Sequence, residues 1–156
     1  MNESFIEKAM KNFGIFVLRA ASSITGSLSD AEDIFSDVFL ALWQHDKIFD
    51  NEEHLKAWLI RVAINKAKNL KKQAFNRYRA TMHDNIPYKD ESTIKKEVND
   101  ALQQLKPNER AVVYLHYYEG YNFEEIGKIL GIGKTSARVK AMRGRNKLKE
   151  LLNEDI

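Results

Sequence analysis

Cationic side chains recur at helical spacing in two separate segments of the chain, where they could bind phosphate groups. The first segment has four polar residues at intervals of four, three and four, which places them on one helical face: Arg61, Asn65, Lys68 and Lys72. Cations joined by an asparagine suit phosphates together with the edge of a base. The second segment, residues 134–149, has seven basic and no acidic residues. These residue types predict binding to a polyanion, and they do not indicate catalysis.

The charge distribution along the chain supports this interpretation better than the net charge of +3 does. Residues 1–55 contain 10 acidic and 4 basic side chains, whereas residues 56–83 contain 8 basic and no acidic ones. Two basic blocks on helical patterns suggest two contacts with a polyanion. Charge alone leaves open the alternative that both blocks are solvated lysine-rich faces.

An acidic helix precedes the first basic block, within "SLSDAEDIFSDVFLALWQH". Ser29 followed by Glu32 predicts a capping box at its start. Apolar residues at intervals of three and four predict one buried face, which comprises Ala31, Ile34, Phe35, Val38, Phe39, Leu42 and Trp43. Asp37 lies on the polar side near Asp33 and Ser36, where an acidic patch either binds a basic partner or keeps the surface soluble.

A second long helix is predicted from about Glu53 to Gln73, with Trp58 on its apolar stripe. The following "QAFNRYRATMHDNIPYKDES" loses periodicity and gains turn-forming residues, which predicts a linker. The expected fold is therefore all-α, with two small helical domains at 1–77 and 94–156 and a flexible linker at 78–93.

The second domain shows a helix-turn-helix pattern. A short helix ends before Pro107, and a helix is predicted over residues 108–119. Asn122 predicts the N-cap of a helix over 123–130, and Gly131 predicts its end. A cationic helix follows with an inward stripe of small and apolar residues: Ala137, Ala141, Gly144, Leu148 and Leu151. Its N-terminal residues are those that would meet base edges in a major groove: Lys134, Thr135, Ser136 and Arg138.

Several other classes of protein are excluded or disfavoured. The chain has no cysteine and no apolar run of about 20 residues, so zinc–cysteine sites and membrane insertion are not expected. The acidic N-terminus lacks the features of a signal peptide, which favours a cytoplasmic location. The four histidines have no metal-ligand spacing and no catalytic pair is evident, so we expect no metal, no cofactor and no enzymatic activity.

Taken in order, three stretches resemble the extracytoplasmic-function (ECF) sigma factors of the sigma-70 family, over roughly residues 13–152. "TGSLSDAEDIFSDVFLALW" is similar to the segment that docks on RNA polymerase, and "FDNEEHLKAWLIRVAINKAKNLKK" to the segment that melts and reads the minus-ten element. "LKPNERAVVYLHYYEGYNFEEIGKILGIGKTSARVKAMRGRNKLKELL" is similar to the domain that reads the minus-thirty-five element.

The resemblance implies a sigma factor that binds core RNA polymerase and promoter DNA and is commonly held by an anti-sigma factor. It assigns polymerase binding to Glu32, Asp33, Ser36 and Asp37. It assigns the minus-ten region, including the specificity loop, to Phe49, Asn51, His54, Arg61, Asn65, Lys68 and Lys72. It assigns the recognition helix to Lys134, Thr135, Ser136, Arg138, Lys140 and Arg143.

The sequence departs from the family pattern at three positions: Ser36 replaces a common glutamine, Asn69 an aspartate and Gly144 an alanine. Two alternative functions remain. One is a helix-turn-helix regulator that acts without polymerase, and the other is an interaction protein whose basic helices are incidental.

Overall fold

Every regular element in the described part of the chain is helical. The computed structural model describes residues 3–46, 48–80 and 93–152, with side chains for 3–46, 48–72 and 97–152. Seven α-helices and one π-helical segment occur there: α1 Glu3–Thr25, α2 Leu28–Trp43, α3 Glu52–Ala80, α4 Thr93–Gln103, α5 Pro107–Val113, the π-helical segment Tyr114–Tyr118, α6 Phe123–Leu130 and α7 Lys134–Leu152. The all-α prediction is confirmed.

The chain forms two compact units, residues 1–70 and 71–156. The division falls within α3, which continues to Ala80 and therefore extends past its predicted end at Gln73. It also extends past the predicted start of the linker at Tyr78, and residues 81–92 of that linker lie outside the described residues. The predicted domain limits of 77 and 94 stay a prediction.

In the first unit, α1 packs along α2, and both contribute to a core with the apolar side of α3. The core residues include Val17, Ile24, Ile34, Leu42, Leu59 and Ile64, all of them buried. Burying side chains of this size contributes about 1.5–3 kcal/mol each, before the entropy of ordering is subtracted. This core fixes which sides of α2 and α3 face solvent.

The start and the end of α2 differ from the predictions. Ser27, not Ser29, is the N-cap, because the Ser27 hydroxyl accepts a hydrogen bond from the Asp30 amide at 3.2 Å. The predicted Ser29 capping box is wrong, since the helix begins one residue before Ser29. Trp43 was predicted to be buried, but it lies in the last turn of α2 and is 47% exposed. The apolar stripe therefore ends at Leu42.

In the second unit, the predicted single helix over residues 108–119 is interrupted. Pro107 occupies the first turn of α5 as expected, but the helix widens to π-type hydrogen bonding over Tyr114–Tyr118. The amide of Glu119 donates to the carbonyl of Tyr114 at 3.1 Å, the five-residue spacing of a π-turn. The Tyr114 and Tyr118 rings stack there, with centroids 5.6 Å apart.

A buried arginine connects α5 to the end of α4. Arg110 is only 1% exposed. Its Nε donates to the Leu102 carbonyl at 2.6 Å, and its Nη2 donates to the carbonyls of Gln103 and Leu105 at 2.8 and 2.7 Å. These carbonyls, at and just beyond the end of α4, lack partners within a helix, so the guanidinium caps the helix. Burial lowers the pKa of Arg110 to about 10, and the side chain stays protonated at neutral pH.

The helix-turn-helix is formed by α6, a three-residue turn and α7, as the sequence predicts. Asn122 and Glu125 form a reciprocal capping box, with the Asn122 side chain accepting from the Glu125 amide at 2.8 Å. Gly131 ends α6 at a φ of 72°, a left-handed conformation that favours glycine. The inward stripe of α7 is confirmed for Ala137, Ala141 and Gly144, which are buried, whereas Leu148 and Leu151 are half-buried.

Gly144 allows α7 to approach α5 closely. A Cβ at this position would lie 2.5 Å from Cγ2 of Val113. The low helix propensity of glycine, about 1 kcal/mol relative to alanine, is therefore offset by a close contact that alanine would disturb.

Candidate nucleic-acid and polymerase interfaces

The four predicted polymerase-binding residues all lie exposed on α2: Glu32, Asp33, Ser36 and Asp37. Asp33, Ser36 and Asp37 lie opposite the buried stripe, because successive residues of a helix are rotated by about 100°. Ser36 Oγ donates to the Glu32 carbonyl at 3.4 Å, so this hydroxyl is hydrogen-bonded to the backbone of its own helix. We call these four residues the acidic face of α2.

An apolar side chain that the sequence analysis missed continues the acidic face. Leu40 is 55% exposed and lies three residues after Asp37 and seven after Asp33, on the same side of α2. Its spacing from the two aspartates is the signal that could have identified it. An exposed leucine beside carboxylates suits a partner surface that combines cations with apolar contact.

Four aromatic and histidine side chains meet at the loop between α2 and α3. The Phe49 ring lies 5.1 Å from the His45 ring and 5.6 Å from the Trp58 ring, measured between centroids. His54 contacts Phe49 edge-on at 5.2 Å, and His45 lies 4.7 Å from Trp58. We call these four residues the aromatic cluster. Trp58 was predicted to belong to the core, but it is only half-buried.

Hydrogen bonds fix the loop against the start of α3. The Asn51 side chain accepts from the His54 amide at 2.8 Å, and the Asp50 amide donates to His54 Nδ1 at 3.2 Å. Asn51 thus caps α3, which starts at Glu52. The structure brings together three residues assigned to the specificity loop by resemblance: Phe49, Asn51 and His54.

A groove of about 500 Å³ opens beside the aromatic cluster. Its apolar lining is formed by Phe5, Ile48, Phe49 and Leu55, and its polar groups come from His45, Asp46, Asn51 and Glu52. A concave apolar site with few polar groups can accept a planar ring, and aromatic side chains can stack on a base.

The polar row on α3 continues from the aromatic cluster along one side of the helix. His54, Trp58 and Arg61 are spaced by four and three residues, and the same pattern continues through Asn65, Lys68 and Lys72. Arg61, Asn65 and Lys72 are exposed, and Lys68 is half-buried. The helix therefore presents ring stacking at one end of the row and cations along the rest, which suits single-stranded or partly opened DNA.

The six predicted residues of the recognition helix occupy different sides of α7. Lys134, Thr135 and Arg138 are exposed near its N-terminus. Ser136 is half-buried, and its Oγ accepts a hydrogen bond from Lys140 Nζ at 3.0 Å. Arg143 is exposed and lines a polar groove of about 410 Å³ that also includes Lys106 and Glu109. Two exposed apolar residues of this helix, Val139 and Met142, were not predicted from the sequence as part of the site.

Membrane spans and metal-ligand groups were considered for the described residues. None of their helices is long and apolar enough to span a membrane. Within the same ranges, no group of three or more histidine, aspartate or glutamate side chains is arranged to hold a metal ion.

Two family models match successive parts of the chain. Residues 10–76 match the model described as Sigma-70 region 2, and residues 95–148 match Sigma-70, region 4. The chain is 32% identical to the RNA polymerase sigma factor CarQ of Myxococcus xanthus, over 97% of this chain and 95% of CarQ. It is also 32% identical to the ECF RNA polymerase sigma factor SigL of Mycobacterium tuberculosis, over 77% of this chain and 73% of SigL.

Solved structures share the fold. The sigma factor RpoE, in its complex with the anti-sigma factor NepR from Bartonella quintana, aligns with a TM-score of 0.75 and 21% identity over 99% of this chain and all of that one. CnrH, in complex with the cytosolic domain of CnrY, aligns with a TM-score of 0.68 and 23% identity over 99% of this chain and 92% of CnrH.

This two-part helical fold, with its acidic helix and its two cationic helices, defines a sigma-70-type transcription factor. The chain belongs to the ECF RNA polymerase sigma factors. It binds core RNA polymerase and directs promoter recognition, melting and transcription initiation. The family consists of initiation factors rather than enzymes. A regulator that acts without polymerase is not favoured, because residues 10–76 match Sigma-70 region 2 and such a regulator would not require that region.

Proposed function

We propose that three separate surfaces divide the work of this sigma factor. The acidic face of α2 together with Leu40 binds core RNA polymerase. The aromatic cluster and the polar row of α3 hold the opened minus-ten element, and α7 binds the minus-thirty-five element. The observation that carries this division is the segregation of charge: the exposed side of α2 is acidic, whereas the exposed sides of α3 and α7 carry cations.

The aromatic cluster is the part of this proposal with the most specific geometry. Unstacking a base pair costs a few kcal/mol, so a site that captures an extruded base helps to offset melting. Phe49 lines the groove and packs edge-on with Trp58, and Asn51 supplies an amide to the same lining. Arg61 and Lys72 then follow along α3, where they are placed to bind phosphates of the displaced strand.

The domain limits are part of the same proposal. Residues 1–77 form the region that binds polymerase and the minus-ten element, and residues 94–156 form the region that binds the minus-thirty-five element. Residues 78–93 connect them. Each domain then raises the effective concentration of the other on the promoter once polymerase is bound.

An anti-sigma factor is a further proposed partner. Two structurally similar proteins, RpoE and CnrH, were solved with NepR and with the cytosolic domain of CnrY. We expect a protein of this kind to compete with core polymerase, in the cytoplasm where the chromosome lies. Competition is measured by adding the candidate protein to a preformed complex of the chain with core polymerase.

The experiment that tests the proposed function is co-elution of the purified chain with bacterial core RNA polymerase. A one-to-one complex that initiates transcription from a selected promoter supports the proposal. A chain that binds duplex DNA by itself but never co-elutes with core polymerase would contradict it.

A further inference from the structure

The outward side of α7 has an uncharged centre between two rows of cations. The buried residues Ala137, Ala141 and Gly144 define the inward side of the helix. At about 100° per residue, the positions opposite that side are Thr135, Val139, Met142 and Asn146, all of them exposed. One flank then consists of Arg138, Arg145 and Lys149. The other consists of Lys140, Arg143 and Lys147, followed by the exposed Glu150 near the end of the helix.

Two apolar side chains remain exposed at this centre. Val139 is 36% exposed and Met142 is 58% exposed, within a segment that contains seven cations. Neither belongs to the inward stripe. An exposed apolar pair within the most basic segment indicates a ligand that combines negative charge with small apolar groups.

Duplex DNA has this combination in its major groove. The groove is about 12 Å wide and admits a helix of about 10–12 Å diameter, so the centre of the outward side faces the bases and the flanks face the phosphate walls. Among the groups that the bases present there, the C5-methyl of thymine is the apolar one. A protein partner is disfavoured, because residues 134–149 have no acidic side chain and an apolar pair offers little area for docking.

We propose that Val139 and Met142 are specificity-determining residues that contact thymine methyl groups of the minus-thirty-five element. Thr135 lies beside them at the N-terminal end of the helix, where base edges are read. The cations of the two flanks bind phosphates and set the position of the helix in the groove. This inference rests on the proposed binding of α7 to promoter DNA.

The test begins with selection of the preferred upstream element from a duplex library with a randomised segment. One arm uses the full chain with core polymerase, and the other uses the full chain alone. Each thymine of the selected element is then replaced by uracil, which removes only the methyl group. Dissociation constants are measured for the wild type and for Val139→Ala, Met142→Ala and Lys147→Ala.

We expect uracil at one or two positions to weaken wild-type binding by about fourfold, the effect of removing one buried methyl-sized group. Val139→Ala or Met142→Ala should abolish this difference at its own position and leave it at the other. Lys147→Ala should weaken binding to thymine and uracil DNA by the same factor, because it contacts only phosphate. Far-UV circular dichroism and thermal melting confirm that each variant folds.

The proposal is overturned if no uracil substitution weakens wild-type binding, or if the thymine–uracil difference persists in both apolar variants. It is also overturned if neither arm selects a sequence. Failure of the proposed function is distinguishable from failure of this inference. In that case the chain does not co-elute with core polymerase, and the arm with the full chain alone still tests the methyl contacts.

Discussion

Ile132 and Gly127 contact each other through their backbones in the turn of the helix-turn-helix. The Ile132 amide donates a hydrogen bond to the Gly127 carbonyl at 2.9 Å. The Ile132 carbonyl oxygen lies 2.6 Å from the point where a Cβ on Gly127 would stand. This contact fixes the direction in which the chain leaves α6, and therefore the position of α7.

Gly127→Val should destabilise the second unit by about 2 kcal/mol or more, because a branched side chain at a closely packed site must displace backbone. The matched control is Gly133→Ser, at a glycine whose Cβ would have no neighbour within 4 Å. We expect that control to melt as the wild type does. Thermal melting followed by circular dichroism measures both, and equal melting temperatures for the two variants would contradict the role of Gly127.

Arg110→Met should destabilise the second unit by about 3 kcal/mol, because one buried and two partly buried carbonyls lose a charged donor. Arg110→Lys is the informative companion, since it keeps the charge but lacks the planar fork that reaches several carbonyls. We expect it to recover less than half of the loss. Denaturant unfolding at pH 7 measures the series, and an unchanged free energy of unfolding in Arg110→Met would disprove the capping role.

Asp37→Lys and Leu40→Asp should each weaken binding to core polymerase by about tenfold, an effect typical of single interface residues worth somewhat more than 1 kcal/mol. Both side chains are exposed, so the melting temperature should not fall. Glu7→Lys makes the same charge change as Asp37→Lys at an exposed position of α1 and serves as the control. Competition against labelled wild-type protein gives the affinities. Equal losses for Glu7→Lys and Asp37→Lys would point to bulk charge instead.

Arg138→Ala should weaken binding to the upstream element and reduce the slope of log K against log salt concentration by about 1, because one phosphate contact is lost. Core polymerase binding should be unaffected. Lys11→Ala removes the same charge from an exposed site on α1 and should leave the slope unchanged. Loss of polymerase binding in Arg138→Ala would overturn the proposed division between α2 and α7.

Phe49→Ala should reduce promoter opening by about tenfold, since stacking of one base on an aromatic side chain contributes about 1–3 kcal/mol. Permanganate reactivity of thymines in the minus-ten element measures the opening. Glu53→Ala, an exposed change in the first turn of α3, is the control. Normal opening in Phe49→Ala would remove the aromatic cluster from the melting mechanism.

The sequence predicted the helices well where the pattern was long or the cap was local. Asn122, Glu125 and Gly131 act through hydrogen bonds and dihedral angles within a few residues, so their types alone determine the boundaries of α6. The predicted start of α2 was wrong because serine is a preferred N-cap residue, so Ser27 and Ser29 were both candidates. Only the hydrogen bond from the Asp30 amide distinguishes them.

Other features depend on contacts that are distant in sequence. The burial of Arg110 and its three carbonyl partners could not be predicted, because an arginine in an amphipathic helix is ordinarily exposed. The half-exposure of Trp58 depends on rings from the preceding loop. The π-helical segment likewise keeps the apolar pattern of an α-helix while changing its hydrogen bonding. The candidate surfaces were predicted from charge and spacing. Leu40, Val139 and Met142 were missed because the surfaces of α2 and α7 were traced through their charged and polar residues alone.

Both tryptophans of the chain, Trp43 and Trp58, lie in the first unit. The intrinsic tryptophan fluorescence of the protein therefore originates entirely from the part proposed to bind polymerase and the minus-ten element. Unfolding of the helix-turn-helix unit changes the far-UV circular dichroism signal, and that unit contains no tryptophan of its own. A single sample followed by both signals thus reports whether the two units unfold together or one after the other, with no added label.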